Sequence, residues 1–352
     1  MKELLRKGNG SVKASPQSLN NISGDIKPWI DFIDKAAEEL IHSIESIEKD
    51  ITTGSTTPET VLSSLTEIMD KFVDAAAEYE SNVQDPAFLK NSRVAFHQKS
   101  NHIFSKSYCF NRARTWPQGY HGDYKTLEVV YRNMPMSDGI GYYLDLYALN
   151  TVLGIGIRNR MKILQRLLKE ELSGRIHPRI MSIACGSCRE LVEISPEITS
   201  SSAHFTCIDS DEDALQYSQS RLYYTGIQSN IEFRKHNALR MFDYETTKQD
   251  FGPQDVIYSV GLFDYLESDF LVKILNSLYN LLNTGGKLII AFKDAKQYRS
   301  QIFHWFMDWT GFLQRYEDEF LEILSDAHIP DSAVEHFRDE TGVIIFYIVS
   351  KQ

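Results

Sequence analysis

The chain has 352 residues, a formal charge of −11 and apolar and charged fractions of an ordinary globular protein. Wholesale disorder is excluded, and there is room for one large domain with an extension or for two domains. The acidic balance opposes binding to nucleic-acid phosphates, so no nucleic-acid substrate is expected. Residues 1–13 lack an apolar core of signal-peptide length, and no run approaches the roughly 20 apolar residues that span a bilayer. No integral membrane association and a cytoplasmic location are expected.

Residues 1–25 carry Gly, Ser, Asn and Lys without apolar periodicity and read as a flexible tail. From Trp29 the apolar residues Phe32, Ile33, Ala36, Leu40, Ile44, Ile47 and Ile51 recur at helical spacing, and the polar run Thr52–Thr56 ends that helix. Thr57-Pro58-Glu59 then offers an N-cap, a first-turn proline and a first-turn acid for a second helix, with Val61, Leu65, Ile68, Met69, Phe72, Val73 and Ala76 on one face. These faces read as packing surfaces, and the N-terminal helices also offer a face for self-association.

Residues 86–116 look helical but irregular until Pro117-Gln118-Gly119-Tyr120-His121-Gly122-Asp123-Tyr124 breaks the pattern. Such a loop either lines a site with its tyrosines and histidine or is a turn whose aromatics cover the helices. Further helices are expected around Tyr142–Thr151 and Ile155–Leu172. Within the second, Arg158 and Arg160 are either solvated or able to hold a carboxylate, with the solvated reading preferred.

From Ile180 the pattern alternates. Strands are expected at 180–184, 204–208, 230–234, 255–260, 286–292 and 342–349, with helices near 189–195, 211–224, 267–283 and 310–326. Strands alternating with helices give a parallel sheet covered on both faces. A further strand at 333–339 would pair with the last one as an antiparallel hairpin on one edge. The domain organisation is thus a tail (1–25), a helical cap or substrate domain (26–153) and an α/β domain (154–352).

The four cysteines, Cys109, Cys185, Cys188 and Cys207, form no disulfide framework. Cys185 and Cys188 have the C-x-x-C spacing of a metal or redox site, but no second Cys/His pair accompanies them, so no metal is expected.

In an open parallel sheet, ligands bind beyond the carboxyl ends of the strands. The first strand runs into the small-residue turn Ala184-Cys185-Gly186-Ser187, whose backbone N–H groups can approach a ligand closely. The second ends at Asp209-Ser210, where a carboxylate can accept both ribose hydroxyls. After the third lies His236-Asn237-Ala238, whose Asn can pair with an adenine edge, and after the fourth lies Ser259-Val260-Gly261-Leu262-Phe263-Asp264-Tyr265.

With those residues in place, the region 180–349 resembles a class I S-adenosylmethionine-dependent methyltransferase domain, with a Rossmann-like sheet and a C-terminal antiparallel hairpin. The resemblance implies S-adenosylmethionine as cofactor, held by Ser182, Ala184, Cys185, Gly186, Asp209, Ser210, Asn237, Ala238, Ser259, Val260 and Gly261. The chain departs from the family at three positions. Ser182 stands where an acid is usual, and Ala184 and Cys188 stand where glycines are usual. The contact to the cofactor's amino group must then come from another residue.

A narrower resemblance rests on Gly119–Tyr124, Arg158-Asn159-Arg160, Ser182–Gly186 and Gly261–Leu266. These are similar to bacterial methyltransferases of 3-hydroxypalmitic acid methyl ester biosynthesis, which implies a fatty-acid carboxylate as the small-molecule acceptor. An ionised carboxylate needs no base. A hydroxyl or amine acceptor would need one, and His121, Asp264 and Tyr265 are the candidates, with Tyr120, Tyr124 and Arg158 placed to bind substrate. The rival readings are methylation of another metabolite or a protein side chain, a methyltransferase-like module that binds without catalysing, and a Rossmann dehydrogenase. The terminal hairpin counts against the last.

Overall fold

A computed structural model describes residues 26–352; the tail expected at 1–25 lies outside the described residues. The chain divides into two compact units. One comprises the described residues up to Thr151 together with Arg299–Thr310, and the other comprises Val152–Tyr298 with Gly311–Gln352.

The first unit is helical: α1 (Lys27–Thr53), α2 (Pro58–Asn82), α3 (Pro86–Phe104), α4 (Tyr108–Thr115), α5 (Tyr124–Arg132) and α6 (Gly139–Asn150). Helix α1 stops where Gly54 turns left-handed at φ 68°, and α2 starts with the Thr57 side chain accepting from Thr60 N–H. The stripe expected on α2 is its buried face, with Val61, Leu65, Met69, Phe72, Val73 and Ala76 buried and Ile68 half-buried. Among the described residues no single helix is long and apolar enough to cross a membrane.

Arg299–Thr310 completes this helical core. Its single π-helical turn, Ile302–Phe306, places Trp305 (1% exposed) against Phe72, Tyr79 and Phe96, with ring centroids 5.7–5.8 Å apart. A π-turn leaves backbone carbonyls without regular helical partners. Here His97 Nε2 donates to the Trp305 carbonyl at 2.7 Å and Arg114 Nε to the Phe306 carbonyl at 2.8 Å. Burial pulls the His97 pKa down to about 4, which keeps the ring neutral beside Arg114. The sequence reading placed this segment with the α/β domain because its aromatic run carries no helical period.

The second unit opens with α7 (Val152–Ser173) and continues with seven strands: β1 (Arg179–Ile183), β2 (His204–Asp209), β3 (Ile231–Lys235), β4 (Gln254–Ser259), β5 (Leu282–Lys293), β6 (Val334–Arg338) and β7 (Ile344–Ser350). Between them lie α8 (Arg189–Glu193), α9 (Ser195–Ser201), α10 (Glu212–Leu222), α11 (Tyr244–Phe251), α12 (Ser268–Leu281) and α13 (Glu317–Asp326). The order is β3-β2-β1-β4-β5-β7-β6. The first five strands pair in parallel, while β7 runs antiparallel to both β5 and β6. This is the Rossmann-like sheet with a reversed terminal hairpin.

The two faces of the sheet differ. Met181, Ile183, Ile208, Ile257, Leu288 and Ile290 form one apolar cluster with Leu271, Ile274, Leu275 and Leu278 of α12 and Phe320 of α13. On the opposite face Ser182 lies in register with both Cys207 and Tyr258, so three polar or polarisable side chains emerge side by side in a buried layer.

Two local expectations differ from what forms. Helix α12 ends at Leu281 and β5 begins at Leu282, ahead of the strand start expected at 286, so Gly285-Gly286 sits inside the strand's irregular start. A Cβ on Gly286 would lie 2.8 Å from the Asn283 carbonyl oxygen, which is why only glycine fits there. Residues 311–316 are not helical. Their backbone is used elsewhere: Leu313 N–H donates to Asp264 O and Ala295 N–H to Arg315 O, both at 2.9 Å.

Trp305→Ala should lower the unfolding free energy by about 3–5 kcal/mol, the usual loss for emptying a large aromatic site. Denaturant titration would measure it. A loss under about 1 kcal/mol would show that the 299–310 segment is not part of the helical core.

Candidate functional site

Strand β1 leads into a loop in which every second residue is left-handed: Ala184 (φ 53°), Gly186 (56°) and Cys188 (46°). Only one of the three is glycine. Each non-glycine residue in this region costs about 1–2 kcal/mol, so the loop is held against local preference by its surroundings. Cys185 N–H donates to Ile208 O at 3.0 Å, Cys188 N–H to Cys185 O at 3.1 Å, and Ser218 Oγ to Gly186 O at 2.8 Å.

Asp209, at the end of β2, ties this loop to the next. Its Oδ2 accepts from Gly186 N–H and its Oδ1 from Asp211 N–H, both at 2.9 Å. The carboxyl is 6% exposed, and burial raises its pKa from 3.8 to about 6 against those two N–H donors. It is therefore ionised at neutral pH and positioned by two loops at once. Ser210 follows in the bend after it.

No acid stands at Ser182, but one lies close to it. Glu190, in the first turn of α8, is 4% exposed and its Oε1 accepts from Tyr258 Oη at 2.7 Å, while Tyr258 also contacts the Ser182 hydroxyl. Burial is the largest influence on Glu190 and raises its pKa to about 8, with the Cys188 sulfur adding to it. A carboxyl kept protonated in this way is one that an arriving cation would ionise. The sequence reading missed Glu190 because it sits eight positions beyond Ser182, and only the register of β1 with β4 brings the two together.

Asn237 follows β3 and is exposed. Its Oδ1 accepts from Leu239 N–H at 3.1 Å, which orients the amide and leaves both Nδ2 hydrogens available to donate; Ala238 next to it is half-buried. At the end of β4 the Ser259 hydroxyl is turned inward to Ile183 O at 3.1 Å, which joins two strand ends. Val260 is half-buried and Gly261 exposed. The Arg160 guanidinium lies over Gly261, with Nη1 3.6 Å from where a Cβ would be. Arg160 is 5% exposed, which overturns its reading as a solvated arginine, whereas Arg158 is half-buried. Burial lowers the Arg158 pKa.

Asp264 occupies a different role from the proton acceptor expected of it. It is 1% exposed, its Oδ2 lies 2.6 Å from Lys293 Nζ, and its Oδ1 accepts from Lys293 N–H at 3.2 Å. Lys293 is itself buried, with Nζ 3.5 Å from the centre of the Phe312 ring, and burial lowers its pKa to about 8. The pair anchors the loop after β4 to the end of β5 and neutralises both charges. Tyr265 is half-buried, its ring 5.2 Å from that of Phe312.

The other acceptor-side candidates belong to the helical unit. Tyr120 and Tyr124 are buried at 6% and 4% exposure. Asp123 between them caps α5 through Lys125 N–H and pairs with Arg112 at 2.7 Å. The His121 ring packs against Trp116, with centroids 4.0 Å apart, and lies nearly parallel to Trp309. Its Nε2 meets the Asp308 carbonyl at 2.8 Å and so carries the proton of the neutral ring, while buried Nδ1 has no partner among the described residues. Burial lowers its pKa and leaves Nδ1 as an open acceptor.

The fold agrees with what known proteins display. The methyltransferase-domain family profile matches residues 180–286, from β1 into β5. Demethylmenaquinone methyltransferases of two Leptospira interrogans strains are each 23% identical over 151 residues, which is 42% of this chain and 55% of the relative. The chain thus spans about half the length of the curated relatives it matches. The crystal structure of a possible exported protein from Bordetella parapertussis superposes with a TM-score of 0.55 at 14% identity, covering 90% of this chain and 96% of that one. Magnesium protoporphyrin IX methyltransferase from Synechocystis PCC 6803 with bound S-adenosylhomocysteine gives a TM-score of 0.43 at 13% identity, covering 57% and 86%. Residues 180–286 therefore carry the Rossmann-like fold of methyltransferase domains.

Asp264→Asn strands the Lys293 ammonium without its counter-charge in a dry site, and should destabilise the protein by about 3–5 kcal/mol in urea titration. A folded variant of unchanged stability would return Asp264 to the list of proton acceptors.

Proposed function

We propose that this chain is an S-adenosylmethionine-dependent methyltransferase acting on a small-molecule acceptor. One observation carries the reading: the strained loop after β1 is fixed to the Asp209 carboxylate through Gly186 N–H at 2.9 Å, so a close-approach backbone and an acid sit together at the carboxyl ends of adjacent strands. In this assignment Asp209 takes the ribose hydroxyls, Asn237 donates to the adenine edge, and the backbone from Ala184 to Gly186 lies along the amino-acid portion. Glu190 supplies the carboxylate for the α-ammonium in place of the acid absent at Ser182. The cofactor, when bound, supplies an electrophilic methyl group on a sulfonium.

The chain's own part in the transfer is alignment and exclusion of water. For the acceptor we favour a carboxylate, in line with the resemblance to fatty-acid methyl ester enzymes. The observation that supports it is the buried Arg160 guanidinium over Gly261, a cation after β4 that suits an anionic acceptor. Such an acceptor needs no base. For a hydroxyl or an amine acceptor, the reading for another metabolite or a protein side chain, we keep His121 as the proton acceptor and Tyr120 and Tyr124 as substrate-binding residues, as the resemblance implies.

Calorimetry with S-adenosylmethionine, S-adenosylhomocysteine and NAD tests the assignment. Binding of the sulfur nucleosides but not NAD is expected, and failure of both sulfur nucleosides would reject it. Binding without methyl transfer to any acceptor would make the chain a non-catalytic nucleoside-binding module. Asp209→Ala should weaken binding by about 1.5–3 kcal/mol through loss of a charge-assisted contact.

Glu190 gives a second test. Its carboxyl ionises near 4.5 when unfolded and at about 8 when folded. Across that window the folded state keeps a proton that the unfolded state has lost, so stability falls as pH rises towards 8. Glu190→Gln removes this effect: its thermal midpoint should exceed the parent's by about 5 °C or more at alkaline pH and approach it at about pH 4. If Glu190 meets the ammonium, cofactor binding by the parent near neutrality releases on the order of one proton, seen as buffer-dependent binding enthalpy, and the variant releases none.

A further inference from the structure

Gly156, Asn159 and Arg160 stand at i, i+3 and i+4 on α7 and so share one face of it. That face meets the sheet. A Cβ on Gly156 would lie 3.2 Å from Ile344 Cγ1 and 3.3 Å from Thr341 Oγ1, closer than Cβ atoms ordinarily pack, so glycine lets the helix come down onto the turn between β6 and β7. One turn along, Asn159 Nδ2 donates to Asp339 Oδ2 at 2.9 Å. Arg160 follows, with Nη1, Nη2 and Cζ 3.6, 3.7 and 4.0 Å from where a Cβ of Gly261 would be. Both nitrogens are nearer than the carbon between them, so the guanidinium turns its two-nitrogen edge to the end of β4. That is the edge that takes a carboxylate through two parallel N–H bonds.

We infer that Asn159 is a positioning residue: hooked to Asp339, and with the close approach that Gly156 allows, it sets the rotation of α7 that aims the Arg160 guanidinium at the end of β4. The anchor is rigid before the helix reaches it. Asp339 is 5% exposed, its Oδ1 accepts from Ile344 N–H at 2.9 Å and its Oδ2 from Thr341 N–H at 3.1 Å, and Thr341 Oγ1 donates to it at 2.8 Å. A carboxylate only accepts, so the contact also fixes which way the Asn159 amide faces.

The hook stands at the end of the sheet where the guanidinium is needed. Ile344 lies in register with Lys293, the last residue of β5, and Gly261 follows closely on Ser259, the last residue of β4, so the two contacts flank the carboxyl ends of neighbouring strands. Each restrains a different motion. Gly156 sets how near the helix lies, and a side chain there would push it off by a few tenths of an ångström. Asn159 sets its roll, because consecutive residues point about 100° apart around a helix and Arg160 cannot keep its aim if its neighbour turns.

For an anionic acceptor the consequence is selective. A roll of α7 turns a two-bond contact with a carboxylate into a single bond, a loss on the order of tenfold in affinity. The Gly186–Asp209 contact is made by other elements and keeps its geometry. This consequence rests on the acceptor assignment above, whereas the positioning of Arg160 by Asn159 does not.

The test labels the full chain with phenylglyoxal, which modifies accessible guanidiniums, and maps the modified arginines by peptide mass. In the parent, Arg160 and Arg315, each 5% exposed, should be protected, while Arg166 further along α7, its side chain 57% exposed, reacts. Asn159→Ala leaves the other Asp339 bonds in place, and Gly156→Ala is a second variant that adds a better helix former. In both, Arg160 should react on the order of tenfold faster than in the parent, with Arg315 still protected. Arg160 that stays protected in the folded variants would overturn the inference, and so would Arg160 and Arg315 becoming reactive together, which marks general loosening. Calorimetry with S-adenosylhomocysteine and with decanoate as the anionic probe then separates the two proposals. Asn159→Ala should keep the nucleoside affinity and lose about tenfold for decanoate. No decanoate binding by the parent rejects the carboxylate acceptor alone, and equal decanoate affinity in parent and variant rejects the role of Asn159 in acceptor binding.

Discussion

The Asp209 carboxylate is the constraint on which the site depends. One oxygen accepts from the loop after β1 and the other from the loop after β2, so a single side chain sets the relative position of two strand ends. An acid buried to this degree would sooner be neutral, and its pKa does rise to about 6. Two backbone N–H donors limit the rise and keep it ionised at neutral pH. The group thus keeps its charge and remains poor in solvent, a combination that strengthens any further hydrogen bond it accepts.

The backbone on the other side of that contact is held just as firmly. Ala184 and Cys188 take conformations that favour glycine, and nothing in their own chemistry rewards them for it. Their geometry is enforced from outside, by Ile208 O accepting from Cys185 and by Ser218 reaching Gly186 O. A loop built in this way should be rigid before any ligand arrives, and rigidity of that kind removes part of the ordering cost of binding.

Much of the fold could be read from the chain because its signals are local. The alternation after Ile180, the strand ends and the hairpin from Val334 to Ser350 follow from periodicity and turn residues, and the structure reproduces them with shifts of one to a few positions. The Thr57 cap and the α2 stripe were equally legible. What could not be read was non-local. Lys293 pairs with Asp264 across 29 positions, Arg160 reaches Gly261 from a helix that precedes the sheet, and Trp305 joins helices more than 200 positions earlier. The Asp264–Lys293 pair was hidden for that reason: a first-turn acid beside a strand end looks the same in sequence whether it faces a ligand or a buried lysine. Cys207 was likewise visible only as a strand residue.

The polar layer on one face of the sheet explains why these departures occur together. Its members Ser182, Cys207 and Tyr258 stand in register, and Glu190 and Cys188 approach them from the start of α8. The carboxyl at 190 accepts from Tyr258 at 2.7 Å and is held protonated at neutral pH by burial. That position also brings the Cys188 sulfur to bear on Glu190, whose pKa it raises, while Glu190 in turn raises the pKa of Cys207. That layer therefore holds the Glu190 carboxyl and the Cys207 thiol protonated together, because charge on either would be buried beside polarisable neighbours with little solvent to screen it.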